Sequence, residues 1–379
     1  MNILLTGIDG YTGWPTALAL SKKFKDSKII GVDNLSRRKW VREIKSNTAI
    51  KIYSMNERIK EAKNRGFTNI KFIKGDLTNK LFVKSLFKKF DFDVVIHTAA
   101  QPSAPYANSN LDRCYFTHFN NNFSTLNILW SIKNVSKKKI KFITTTTTGV
   151  YGQPNFKIPE GFVIAENKKK KDIIQYGNMG GSWYHITKSN DVNNLWLANK
   201  LWGLDIIDLR TSIIYGTSTD LTKIDKKFNT RFDFDYFFGV VINRFCAMSL
   251  SNFDLTVYGK GLLKRPFISL EDYVASVVNS VNYKVKGFEV FNQTSQLLCI
   301  KDIAKTISEE VTKLGFNSKV KNIKNPRVEK ELHQMQMENT KFMKLLNKKP
   351  KLFEDEIKNT LSDLSKVSKI IKRFKNRFI

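Results

Sequence analysis

A five-residue apolar run, Asn2–Thr6, leads straight into Gly7-Ile8-Asp9-Gly10-Tyr11-Thr12-Gly13, and a helical pattern follows from Trp14 to Phe24. Few features constrain a chain more. Glycines at G-x-x-G-x-x-G spacing between a strand and a helix allow a tight turn, and they let backbone approach a pyrophosphate at the helix N-terminus. A second run, Lys28–Val32, ends at Asp33, twenty residues past Gly13. A carboxylate there accepts hydrogen bonds from a ribose 2′-hydroxyl and repels a 2′-phosphate, which selects NAD over NADP. Arg37 and Arg38 follow closely, and an arginine at this point could instead welcome a 2′-phosphate.

The alternation continues. Ile70–Ile73, Val94–His97, Lys141–Thr145 and Asp205–Leu209 read as strands; Tyr53–Arg65, Leu81–Phe90, Leu111–Lys133 and Trp183–Trp202 read as helices. Strand and helix in turn predict an α/β fold, a doubly wound parallel sheet of Rossmann type with helices on both faces and ligands at the strands' carboxyl ends. After Tyr215-Gly216 the rhythm weakens. A polar stretch, 217–231, precedes a helical pattern over Asp235–Ser249, a strand over Asp254–Tyr258, a helix over Glu271–Asn282 and a strand over Phe288–Asn292. The division expected is a Rossmann domain over 1–213 with 268–296, and a smaller mixed lobe over 214–267 with 297–379.

The 64 Lys+Arg against 34 Asp+Glu give a net charge of +30, so a nucleic-acid partner has to be weighed. No nucleic-acid motif accompanies the charge, and scattered lysines on solvated faces account for it, so no such partner is expected. The Lys-rich segment 167–172 reads as an exposed hairpin tip. No apolar run approaches the ~18 residues that cross a bilayer. The N-terminus does not read as a secretory leader. Three unclustered cysteines, Cys114, Cys246 and Cys299, suit reduced thiols in the cytoplasm and no metal site.

Tyr184 and Lys188 stand at i, i+4 inside Trp183–Trp202, on one helix face. An ammonium beside the phenol is expected to lower the tyrosine pKa, so that the phenolate can take a proton from a sugar hydroxyl. Thr147, near the end of a threonine-rich strand, is placed to hydrogen-bond the same oxygen. Asp76, after the third strand, is placed to meet an adenine edge, or serves as a turn former or cap. Ala99 and Ala100 let backbone lie against a cofactor.

These residues together resemble the extended short-chain dehydrogenase/reductases, the NAD-dependent epimerase/dehydratase family, and most of all its branch that makes UDP-sulfoquinovose. The likeness runs through Asp9-Gly10-Tyr11, Asp33-Asn34-Leu35 with Arg37-Arg38, Ser103-Ala104-Pro105-Tyr106, Trp183-Tyr184-His185 with Lys188, Asn243-Arg244-Phe245-Cys246, Leu255 to Gly261, and Asn325 to Glu329. It implies a catalytic set of Thr147, Tyr184, Lys188 and His185, the last a proton carrier or else a buried structural histidine. It implies NAD held by Gly7, Gly10, Tyr11, Thr12, Gly13, Asp33, Asn34, Arg37, Asp76, Leu77, Ala99, Asn121, Tyr184 and Lys188. It implies a UDP-hexose such as UDP-glucose held by Gln101, Thr147, Tyr184, Arg244, Thr256, Tyr258, Arg265 and Arg327, with sulfite as co-substrate. A UDP-glucose 4-epimerase or a related UDP-sugar epimerase/dehydratase is the alternative. A homodimer through Leu111–Lys133 and Trp183–Trp202 is expected by the same likeness. Two departures fall near the sugar: Gln101-Pro102 where that branch has Gln-Arg, and Thr147-Thr148-Gly149-Val150-Tyr151-Gly152 where it has Thr-Met-Gly-Glu-Tyr-Gly.

Overall fold

In a computed structural model of the chain, residues 1–378 are described except 153, 169, 178 and 326–333. Seven strands form one parallel sheet: β1 (Asn2–Thr6), β2 (Lys28–Asp33), β3 (Ile70–Lys74), β4 (Val94–His97), β5 (Lys141–Thr147), β6 (Asp205–Thr211) and β7 (Phe288–Gln293). Their spatial order is β7-β6-β5-β4-β1-β2-β3. The order reverses at β1, so a crevice opens beyond the carboxyl ends of β1 and β4, where doubly wound sheets bind ligands.

The two-residue strand period shows why these runs pair in parallel. Ile3 and Leu5 of β1 enter one hydrophobic cluster with Trp14, Leu18 and Val277, whereas Leu4 enters a second with Val83, Phe87 and Leu195. Val94 and Ile96 against Val95, and Ile143 against Phe142, divide the same way. A strand that must bury both faces reads as a continuous apolar run, as these do.

Most expected elements are present, with ends moved by a residue or two. Three differ in kind. Leu111–Lys133 is not one α-helix: Leu111–His118 and Ser124–Val135 are joined by a π-helical turn, Phe119–Phe123. The helix expected from Asp235 begins only at Val241, because Asp235 Oδ1 accepts the Phe237 and Phe238 amides, at 2.9 Å each, and closes a turn instead. The helix Ser36–Glu43 had no apolar period to announce it, and only Trp40 and Val41 are buried in it.

Beyond β6, a small sheet of Ile213–Tyr215, Lys264–Ser269 and Gln296–Cys299 and a pair of Leu255–Tyr258 with Val320–Ile323 stand over the crevice. Their own core gathers Tyr215, Phe232, Phe245, Leu255, Ile303 and Ile357. Two segments cross between the lobes. Ala49 donates its amide to Phe232 O (2.9 Å), and Phe342, Leu345 and Leu346 pack into the core beneath the large sheet. The lysine-rich hairpin is present as Phe162–Asn167 paired antiparallel with Lys170–Gln175. Among the described residues no helix is long and apolar enough to cross a membrane, and no cluster of three or more His, Cys, Asp or Glu could hold a metal ion.

Candidate active site

The glycine turn is as tight as its sequence demands. A Cβ on Gly13 would stand 2.0 Å from Gly7 O, and one on Gly7, whose φ is +77°, would stand 3.0 Å from Ala99 Cα. No side chain fits at either position. The backbone is thereby pressed against the loop after β4, leaving the start of helix Gly13–Lys23 open to a cavity of about 960 Å³. This cavity runs from Gly7, Gly10, Tyr11, Thr12, Asp33, Asn34, Asp76, Leu77 and Ala99, past Thr147, Tyr184, His185 and Lys188, to Arg244, Thr256, Tyr258 and Arg265. Residues read from distant parts of the sequence thus share one cleft. Arg327 lies outside the described residues.

At the cofactor end, Asp33 takes the Asp9 amide on Oδ2 (2.9 Å) and the Leu35 amide on Oδ1 (2.6 Å). Burial, then the neighbouring Asp9, pushes its pKa up to about 6, so it is ionised at neutral pH and keeps lone pairs for ribose hydroxyls. The two arginines that could have favoured a 2′-phosphate are each paired with a carboxylate. Arg37 pairs with Asp233 at 2.7 Å and stacks 3.6 Å from the ring of Phe238. Arg38 forks onto both oxygens of Asp9, at 2.7 Å each, and Arg58 Nη1 joins from 3.3 Å. A cradle without room for a Cβ and a free-edged carboxylate at the β2 end suit an unphosphorylated dinucleotide. Asp76 acts as a turn former, its Oδ1 accepting the Thr78 amide and hydroxyl, while Oδ2 accepts Asn34 Nδ2 at 3.1 Å on the cleft wall.

Two residues expected to touch ligands do not reach the cleft. Gln101 and Asn121 are buried and hold each other: Asn121 Oδ1 accepts the Gln101 amide (2.8 Å), while its Nδ2 donates to Gln101 O and Thr187 Oγ1. The π-helical turn carries Asn121 inward to do this. Its role is to fix the loop after β4 to the helix bearing Tyr184, while Asn120 and Ser124 of the same segment face the cleft.

At the reaction end, the five consecutive threonines of β5 and its exit divide by face. Thr144 and Thr146 turn their hydroxyls to His97 O and to Asp208 Oδ1 (2.5 Å), whereas Thr147 Oγ1 accepts the Gly149 amide at 3.1 Å beside the cleft. Since Thr147 accepts from the backbone, its own proton is available to a substrate oxygen. The His185 ring lies over the same turn, where a Cβ on Gly149 would meet its Cδ2 at 2.3 Å, and its centroid is 5.3 Å from that of Tyr184. Val150, where the resembled branch has a glutamate, points into the core with Tyr151, Ile158 and Val192. Val150 therefore leaves the cleft wall unaltered, whereas Thr148, where that branch has a methionine, and Pro102 do line it.

The expected lowering of the Tyr184 pKa is not found in the protein alone. Burial pushes the phenol well above its ordinary value, and Asp191 and Tyr273 push it further. Lys188 Nζ stands 3.7 Å from Asp191 Oδ2, both side chains being 3% exposed, so much of the ammonium's charge is already balanced. Asp191 is held in turn by Asn122 Nδ2 at 2.9 Å. The i+3 spacing of Lys188 and Asp191 was readable in the sequence; that both would be buried was not.

Behind this pair, His97 is clamped between Thr6 Oγ1 (2.8 Å) and Thr125 Oγ1 (3.2 Å). Burial first, and then Lys188, lowers its pKa to about 3. The folded form stays neutral while an unfolded histidine protonates near 6.5, so its contribution to stability is full above pH 6.5 and lost as pH falls towards 3. His97→Gln should remove this component. Urea titrations should show wild type losing about 1.4 kcal/mol per pH unit more than the variant over that window. Parallel curves would show that His97 is not kept neutral.

Comparison with known proteins agrees with this geometry. Residues 3–292 match the NAD dependent epimerase/dehydratase family, and the chain belongs to that family. It is thus an NAD-dependent nucleotide-sugar enzyme. It is 36% identical to the UDP-sulfoquinovose synthase of Sulfolobus acidocaldarius over 379 residues, 99% of this chain and 95% of that protein. It is 35% identical to the chloroplastic UDP-sulfoquinovose synthase of Spinacia oleracea, over 94% of this chain and 73% of that one. Among solved structures, the UDP-glucuronic acid 4-epimerase of Bacillus cereus, in complex with UDP-glucuronic acid and NAD, superposes with a TM-score of 0.70 at 21% identity. That match covers 97% of this chain and 100% of that one, and at this identity it shows the shared fold.

Proposed function

We propose that the protein is a UDP-sulfoquinovose synthase, which converts UDP-glucose and sulfite to UDP-sulfoquinovose and water. The observation that carries the reading is one continuous cleft that joins a dinucleotide cradle to Thr147, Tyr184 and Lys188 and then to Arg244 and Arg265, in a chain 36% identical to such a synthase over nearly its whole length.

NAD, when bound, supplies reversible hydride acceptance at the sugar C4. Tyr184 takes the proton of the C4 hydroxyl, and Thr147 donates a hydrogen bond to the same oxygen. Lys188, released from Asp191 towards the ligand, offsets the cost of the phenolate in its buried setting. The C4 ketone acidifies the C5 hydrogen. Water would leave across C5–C6 and sulfite would add at C6, and the bound cofactor would supply the hydride that makes the cycle redox-neutral. His185, its ring tilted beside that of Tyr184 over the Thr147 turn, carries the C5–C6 protons. Arg244, 2% exposed with Nη2 3.3 Å from Tyr258 OH, and Arg265, 7% exposed, face the UDP diphosphate with forked donors. Residues 214–267 with 297–379, apart from the helix Thr340–Leu346 that packs beneath the large sheet, then act as the lobe that covers the nucleotide sugar.

Incubating the protein with UDP-glucose and sulfite tests this directly. A sulfonated sugar nucleotide that appears only with sulfite is the expected product. UDP-galactose formed without sulfite and no sulfonated product would make the protein a 4-epimerase instead.

The same reading includes a homodimer. Leu111, Tyr115, Phe119 and Phe123, spaced by four and between 39% and 80% exposed, continue to Trp130, with Leu197 and Leu201 also exposed on Trp183–Trp202. Apolar side chains in such a continuous stripe are covered when two copies pack helix to helix. Light scattering is expected to give twice the chain mass, falling to one chain mass in Tyr115→Glu. A wild-type monomer would remove the dimer.

A further inference from the structure

Beside the catalytic cleft lies a second cavity, of about 520 Å³, that the reaction above does not use. Its polar wall is made by Arg38, Arg42, Asn47, Thr48, Lys51 and Arg231, with no Asp or Glu among its lining residues. We propose that this cavity binds a small oxyanion of the sulfate, sulfite or phosphate type.

Three observations converge on that ligand. First, the nearby carboxylates are already shared out. Asp9 serves Arg38 and Arg58, and Asp233 serves Arg37 and Arg231, while Asp33 and Asp235 act on the same arginines. The surplus of positive charge comes from Arg42 and Lys51, exposed at the solvent side of a cavity with no carboxylate in its lining. Second, Arg231 is 2% exposed and only its Nη1 meets a carboxylate, Asp233 Oδ1 at 3.3 Å; its Nε and Nη2 are buried without a hydrogen-bond partner. Buried donors left unpaired are unfavourable, and a hydrogen-bonding oxyanion would satisfy them. A guanidinium edge with two adjacent N–H groups matches two oxygens of a tetrahedral or pyramidal anion. Third, Arg231 lines this cavity and the catalytic cleft alike, so this residue separates the two. An anion held there lies one side chain from the cleft.

The assignment stands on the cavity alone and does not depend on the sulfoquinovose reading. The test uses the full protein loaded with NAD and saturated with UDP, so that both diphosphate positions of the main cleft are filled. Sodium sulfate, sulfite and phosphate are titrated separately by calorimetry, with sodium chloride holding ionic strength constant. One saturable site per chain is expected for at least one of the three. In the double variant Arg42→Ala/Lys51→Ala, both exposed side chains, the affinity should fall by about tenfold or more, as expected when two charge-assisted contacts are lost. Arg231→Met should abolish the binding. Tighter binding of sulfite than of sulfate and phosphate would tie the cavity to supply of the sulfur nucleophile; equal binding would make it a general oxyanion site. Absence of saturable binding by all three anions, or unchanged affinity in the double variant, overturns the proposal.

Discussion

Replacing Tyr184 by Phe is expected to lower kcat by about 10²–10⁴-fold while nucleotide-sugar affinity stays within a few fold of wild type. In the proposed reaction the phenol hydroxyl takes the C4 proton, and the variant keeps the ring that packs beside His185. The size of the loss follows from where the phenol sits. Burial and Asp191 hold it protonated in the protein alone, so its acidity depends on charges that arrive with the ligands. The pH dependence of kcat should therefore move in Asp191→Asn, towards lower pH, because a negative charge facing Tyr184 is gone. Calorimetric binding of UDP-glucose beside steady-state turnover checks the first expectation. Turnover within tenfold of wild type in Tyr184→Phe would show that another group takes the proton.

A second large effect is expected far from any ligand. Arg210 and Asp208 face each other on β6 with both side chains wholly buried, Nε to Oδ2 at 3.1 Å. Asp208 also accepts Thr146 Oγ1, while Arg210 donates to Tyr176 O and lies 4.6 Å from the Tyr151 ring. Tyr151 OH in turn reaches Asn292 Oδ1 of β7 at 2.5 Å. Arg210→Met would leave a carboxylate in the core with a single hydroxyl for company. A loss of about 3–5 kcal/mol is expected, because a buried charge without its partner costs more than the pair ever contributed. Arg210→Met with Asp208→Asn together should recover a good part of it. Chemical denaturation of the two variants beside wild type decides; the single variant within 1 kcal/mol of wild type would show that Asp208 is neutral in the fold.

How far the sequence could be read depended on whether a feature was local. The glycine turn, the strand ends at Asp33 and Thr147, and the helix with Tyr184 and Lys188 are set by neighbours in the chain, and their placement around one cleft follows from strand order. What could not be read lies in contacts across long separations. Nothing near Arg37 announces Asp233, 196 residues on, and nothing near Asn121 announces that its amide is spent on Gln101. Gln101 and Asn121 border the site, and in the fold their polar groups meet each other and Thr187. The phenol's raised pKa was missed for a related reason. Helical spacing places Lys188 on the face of Tyr184, but only the packed structure shows that Asp191 is there to balance the ammonium.

The threonine run of β5 has a consequence for any mutational scan of this protein. Letter by letter it is a homopolymer, and a substitution matrix would score its positions alike. The strand's pleat makes it two interleaved series. Thr144 and Thr146 turn their hydroxyls to His97 O and Asp208, so Ser should serve and Val should cost stability; at Thr147, Val should leave the fold standing and remove turnover. Tolerance along the run should therefore alternate with period two, abundance falling at one set of positions and activity alone falling at the other.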